Sequence, residues 1–190
     1  MKKATALFLS CLFIFFTGCW DSKELDTLSI VIGVGIDAGS QPGNVILSLQ
    51  VNHVGDVAEK STGGGGGGEG KPYVMLTAEG SSYSEALEPL TKQISRFLYP
   101  AHNQIIIFGK EMAAQGISPQ LDRIMRNWLS RMDQSLIVSN TTAEELLKIN
   151  SGMEKTPGNR IRETIKNRTQ LSSELDVSLM RFCQKLLSKT

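Results

Sequence analysis

"LSIVIGVGID", residues 28–37, is a β-branched and aliphatic run that stops at "AGSQPG" (38–43), a glycine/proline turn signal. "NVILSLQVNHV" (44–54) comes next, with partial alternation. The two runs predict an antiparallel hairpin, so the domain starts on a sheet. Later runs of the chain extend that sheet and cover it.

"YVMLTAEG" (73–80) predicts a third strand, and "NQIIIFG" (103–109) is a short continuous apolar run of the kind buried on both faces. "QSLIVSN" (134–140) is a further strand. Helical periodicity fills the intervals. Ser82 and Glu85 make an S-x-x-E capping box, and Tyr83, Ala86, Leu87, Leu90, Ile94, Phe97 and Leu98 share one helical face. Pro89 lies inside that pattern, which predicts a kink or a helix that starts near it. Ser118 reads as an N-cap with Pro119 at the first helical position, ahead of a stripe of Leu121, Ile124, Met125, Trp128, Leu129 and Met132. Thr142 and Glu145 cap a helix ending near Gly152. After Pro157 come "NRIRETIKNR" and "SELDVSLMRFCQKLLSK", the latter with an apolar stripe from Leu175 through Leu179, Phe182 and Cys183 to Leu187.

The expected fold is therefore α+β (mixed α/β): a mixed β-sheet of about five strands with covering helices, in the order ββ-βαβαβα plus C-terminal helices. The expected organisation is a signal peptide at 1–18, a tether at 19–28, an α/β domain at 29–152 and a helical segment at 153–190 that starts a second domain and is cut short.

The chain has 190 residues, 41% of them hydrophobic and 21% charged, the balance of an ordinary globular protein. Beyond residue 18 it carries 18 basic and 19 acidic side chains, which gives no electrostatic case for nucleic acid as a partner. Cys11, Cys19 and Cys183 form no C-x-x-C pair and no Cys/His ligand spacing, so neither a disulfide framework nor a metal site is indicated.

Met1, Lys2 and Lys3 precede an uncharged run of 13 residues, "ATALFLSCLFIFF". A spanning helix needs about 20 apolar residues, so this segment reads as a signal peptide. Thr17-Gly18-Cys19 comes after it, two small residues and a cysteine in the register of the bacterial lipobox. Acylation of that thiol would tether the protein to the outer face of a membrane, because each buried CH₂ adds about 0.8 kcal/mol and two or three chains hold where one does not.

Enzyme motifs are sparse. Gly33-Val34-Gly35-Ile36-Asp37-Ala38 spells G-x-G-x-x-A, and Asp56 stands near the position of a ribose-binding acid. That pattern needs a helix N-terminus behind it for the pyrophosphate. Here Gly39, Pro42 and Gly43 impose a turn instead, and the glycines read as a strand with close backbone approach. The six glycines at 63–68 have no G-K-[ST] after them and read as a flexible loop. His53 and His102 are not paired with a nucleophile motif, and no G-x-S-x-G elbow occurs. Arg160, Arg162, Lys166 and Arg168 place a basic patch on one helix, a solvated face or a surface for anionic headgroups.

"GCWDSKELDTLSIVIGVGID" (18–37), "AEGSSYSEAL" (78–87), "SRFLYPAHNQIIIFGKEMAAQGISPQLDRIMR" (95–126) and "VSNTTAEELLKINSGMEKTPGNRI" (138–161) form an ordered series. It resembles the C-subunit lipoproteins of bacterial spore germinant receptors, the GerAC/GerKC or Ger(x)C type, over nearly the whole chain after the signal peptide. One departure is Pro100-Ala101 before His102, where the family more often has glycine.

The resemblance implies a non-enzymatic subunit on the outer face of the spore inner membrane, working with integral-membrane A and B subunits in nutrient-triggered spore germination. It implies lipidation at Cys19 by diacylglycerol and an N-acyl chain such as palmitate, and no other cofactor. Trp20, Asp21, Glu24, Leu25, Gly33, Gly35, Asp37 and His102 carry over as family signature without an assigned role. It also implies further domains beyond an N-terminal one like this. The alternative reading is a small-solute-binding lipoprotein on the outer face of a bacterial membrane.

Overall fold

The computed structural model describes residues 27–53, 72–127, 129–149, 156–169 and 177–188. The strands are β1 (Leu28–Ala38), β2 (Val45–His53), β3 (Tyr73–Gly80), β4 (Phe97–Tyr99), β5 (Ile105–Phe108) and β6 (Ser135–Val138). The helices are α1 (Tyr83–Lys92), α2 (Lys110–Gln115), α3 (Ser118–Met125), α4 (Ala143–Lys148), α5 (Pro157–Thr169) and α6 (Leu179–Leu187). They form the α+β architecture expected from the sequence.

One mixed sheet runs in the order β3-β2-β1-β5-β6, with β4 beside the start of β1. β1, β2 and β3 pair antiparallel, as the hairpin signal predicts, whereas β5 and β4 pair with β1 in parallel and β6 with β5 likewise. The β1–β2 turn is closed by Gly39 N–H donating to the Asn44 carbonyl at 2.8 Å, and Gly43 adopts φ +90°, a left-handed conformation that suits glycine. Glu79 at the end of β3 fastens this turn. Its carboxylate accepts from Ser40 N–H at 2.8 Å, Ser40 Oγ at 2.7 Å and Asn44 Nδ2 at 3.0 Å, bonds that hold its pKa below the ordinary value.

A bulge lies between Val31 and Gly33, so that Ile32 is an extra residue against β2. Val31 faces the main core, and a strict period of two would put residues 33 and 35 beside it. With the bulge, Val34 and Ile36 join Val31 on that face, and Gly33 and Gly35 turn to the other. The main core holds Val45, Leu47, Leu49 and Val51 of β2, Leu76, Ile106 and Phe108 of the flanking strands, and Ala86, Leu90, Met112, Leu121, Ile124 and Leu179 from α1, α2, α3 and α6. On the opposite face Ile105 and Ile107 pack with Ala143 and Leu147 of α4, joined by Ile161 and Ile165 of α5. The sheet is thus covered on both sides, and each fully buried Leu, Ile or Val contributes about 1.5–3 kcal/mol relative to exposure.

The elements differ from the sequence expectation at five places, one of them the end of α4, which stops at Lys148 with Ile149 extended, short of the expected Gly152. The sheet has six strands rather than about five, because Phe97–Tyr99 pairs with Leu28–Ile30 as β4. α1 consequently ends at Lys92, and Phe97 and Leu98 are not on its face. It starts at Tyr83 and runs through Pro89, so it does not begin near the proline; Ser82 Oγ accepts from Glu85 N–H as expected, and Glu85 reaches back to Ser81. α2 is an additional helix between β5 and α3. Finally, α3 stops at Met125 although the apolar stripe continues to Met132: Asn127 N–H bonds the Ile124 carbonyl, and Asn127 Oδ1 accepts from Leu129 N–H at 3.0 Å, a local side-chain turn that competes with the helix. Its N-cap is Ile117, one residue ahead of the expected Ser118.

The C-terminal stripe docks by its first half. Leu179 is fully buried and Phe182 and Cys183 pack on the core, while Leu187 is 77% exposed. The segment is held by backbone pairing, Leu136 N–H to the Val177 carbonyl and Leu179 N–H to the Gln134 carbonyl, each at 2.8 Å. Leu175 lies outside the described residues, as do Gly152 and the glycines at 63–68.

Candidate functional site

The signature residues of β1 converge on α4. Asp37, 5% exposed at the C-terminal end of β1, accepts the Ala143 N–H through Oδ1 at 2.7 Å and the Glu144 N–H through Oδ2 at 3.1 Å. These are first-turn amides of α4, which lack intrahelical partners, and a carboxylate there also complements the helix dipole. Thr142 Oγ1 takes the next amide, that of Glu145, at 3.2 Å, as its capping position predicts. Burial raises the Asp37 pKa; the two amides oppose the rise, and the Glu144 and Glu145 carboxylates add to it.

The glycines let α4 come this close. A Cβ on Gly35 would stand 3.1 Å from Ala143 Cβ and 3.2 Å from Leu147 Cδ1, and one on Gly33 would stand 2.8 Å from Leu147 Cδ2. Gly109, at the end of β5, has its backbone against the Asp37 carboxylate, so that a Cβ there would overlap Oδ1. G-x-G-x-D therefore serves helix–sheet packing. In open α/β sheets, ligands bind outside the carboxyl ends of the parallel strands. In this protein the Asp37 carboxylate fills that position at α4.

Gln50 extends the arrangement. It is fully buried on β2 opposite Gly33, donates through Nε2 to the Leu147 carbonyl at 2.9 Å and accepts the Gly158 N–H through Oε1 at 2.8 Å. One side chain thus ties the end of α4 to the start of α5. Sequence spacing identifies neither Gln50 nor the partners of Asp37; a glutamine inside an apolar strand is the one signal it offers.

His102 is not brought to this locus. It lies in a 3₁₀ turn, Pro100–His102, ahead of β5 and so at the opposite end of the sheet, exposed, with its ring 5.9 Å from that of Tyr99. A small polar cleft of about 100 Å³ adjoins it, lined by Asn103, Gln104, Arg131, Asp133 and Arg162. Arg131 pairs with Asp133 through two bonds of 3.0 and 2.8 Å, which lower the Asp133 pKa. Cys19, Trp20, Asp21, Glu24 and Leu25 lie outside the described residues. Among the described residues, no group of three or more His, Cys, Asp or Glu is placed to hold a metal ion, and no helix is long and apolar enough to cross a membrane.

A larger groove, about 580 Å³, runs along the outer edge of β6 between that strand, α4 and α5. Leu136, Ile137, Leu146, Ile161 and Ile165 form its walls, and Arg160 lines it.

A bulged central strand, a buried aspartate capping a helix and glycines under that helix make this a packing-driven α+β domain. The chain belongs to the family described as "Spore germination protein N-terminal domain", which it matches over residues 21–190. It is 33% identical over 150 residues to Spore germination protein KC of Bacillus subtilis (strain 168), covering 78% of this chain and 36% of that protein. It is 29% identical over 174 residues to the putative spore germination protein YfkR of the same organism, covering 92% of this chain and 44% of that protein. The chain therefore spans less than half the length of these relatives. No solved structure matches it.

Proposed function

We propose that this chain is the N-terminal part of the lipid-anchored C subunit of a spore nutrient germinant receptor, acting without catalysis through contacts with integral-membrane A and B subunits. The observation that carries this reading is the match to a spore germination family from residue 21 to residue 190, beginning two residues after the lipobox cysteine, Cys19. Cys19 receives diacylglycerol and an N-acyl chain, which hold the protein on the outer face of the spore inner membrane. The non-enzymatic reading is supported by Asp37, whose carboxylate is engaged by two amides of α4.

Incorporation of labelled palmitate in sporulating cells tests the anchor. Label on the wild-type protein and none on Cys19→Ala is the expected result; equal labelling of both removes the anchor.

A further inference from the structure

The groove along β6 combines apolar walls with a single kind of charge. Leu136, Ile137, Leu146, Ile161, Ile165 and Val177 line it with aliphatic side chains, and Val138 and Ile149, also in the lining, are more than half exposed, at 59% and 52%. Among the described lining residues the only charged side chain is Arg160. Arg160, like several other basic side chains, makes no ion pair among the described residues. Arg160 sits in the first turn of α5 with Pro157, which also lines the groove, and that turn contains no acidic residue. The positive end of the helix dipole therefore adds to the guanidinium.

We infer that this groove binds an aliphatic monocarboxylic acid, with its chain against the leucine and isoleucine walls and its carboxylate on Arg160. Three properties select that class. A volume of this order suits a small molecule laid against apolar side chains. A guanidinium binds a carboxylate through paired, charge-assisted hydrogen bonds. No acidic side chain is among the described lining residues, so none of them would partner the ammonium of a free amino acid desolvated there. Binding in the groove is independent of the lipid anchor and of receptor membership.

The test is titration of the full chain with octanoate, octanamide and leucine, read by the methyl chemical shifts of Ile137, Ile161 and Ile165 and by thermal unfolding. Octanoate is expected to give saturable shifts at these methyls and a Tm that rises with its concentration. Octanamide should bind about tenfold more weakly and leucine not at all at the same concentrations. Arg160→Gln, an exposed substitution whose folding is checked by an unchanged unliganded Tm, should bring octanoate down to the level of octanamide. Octanoate shifts absent from these methyls, equal binding of octanoate and octanamide, leucine binding as well as octanoate, or full octanoate affinity in Arg160→Gln would each overturn the assignment.

Discussion

The Asp37 carboxylate accepts the Ala143 N–H at 2.7 Å across 106 positions of the chain. That bond joins the end of the first strand to the start of the helix covering it, and the helix lies close enough only because residues 33 and 35 lack side chains. The signature motif of β1 is thus a docking device for α4.

Asp37→Asn keeps the shape but turns one amide donor toward the Glu144 N–H, leaving a buried donor without an acceptor. The expected cost is about 1–2 kcal/mol at pH 5, measured by urea unfolding. An unchanged midpoint would mean that α4 is held without this cap.

The same pair fixes a pH dependence. Burial raises the folded-state pKa of Asp37 above its ordinary 3.8, so the native protein binds this proton more tightly than the unfolded chain. Its stabilising share is fully present below 3.8 and is lost as pH rises through the folded value. The stability gap between wild type and Asp37→Asn should therefore narrow from pH 4 to pH 7. A widening gap would mean that the two amides outweigh burial.

Gly109→Ala places a methyl against the Asp37 carboxylate and should destabilise by about 1–3 kcal/mol, the range of overpacking in a core. The loss should couple to Asp37. In a cycle with Asp37→Gly, the double variant should be more stable than the sum of the single losses allows, by at least about 0.5 kcal/mol. Strict additivity would place the strain elsewhere.

Gln50→Leu removes an acceptor from the Gly158 N–H and a donor from the Leu147 carbonyl while filling similar space. Leaving two buried backbone groups unpaired should cost about 2–6 kcal/mol, since each is worth about 1–3. Hydrogen exchange at the start of α5 should quicken more than exchange in β2. Uniform quickening would show that Gln50 supports the whole domain and not the α4–α5 junction.

Strands β1, β2, β3 and β5 and the caps at Ser82 and Thr142 were legible because each is written in neighbouring residues: β-branched runs, turn glycines and a hydroxyl three residues before a glutamate. β4 was not, since Phe97 and Leu98 also fit the helical spacing begun at Tyr83, and only pairing with Leu28–Ile30 draws them into the sheet. The early stop of α3 rests on the Asn127 side chain, a local competitor that the apolar stripe conceals. The roles of Gly33, Gly35, Asp37 and Gln50 were hidden for a different reason. Their partners lie in α4 and α5, about a hundred residues away, and sequence spacing carries no record of which helix lands on which strand.

The role proposed for this chain is in spore germination, from a lipid anchor at Cys19. The most direct measurement is nutrient-induced germination of spores lacking the gene, complemented either with the wild type or with Cys19→Ala at matched protein level. Null spores are expected to lose the response to at least one nutrient, the wild type to restore it and Cys19→Ala not to restore it. Null spores that germinate at the wild-type rate with every nutrient, or full restoration by Cys19→Ala, would contradict it.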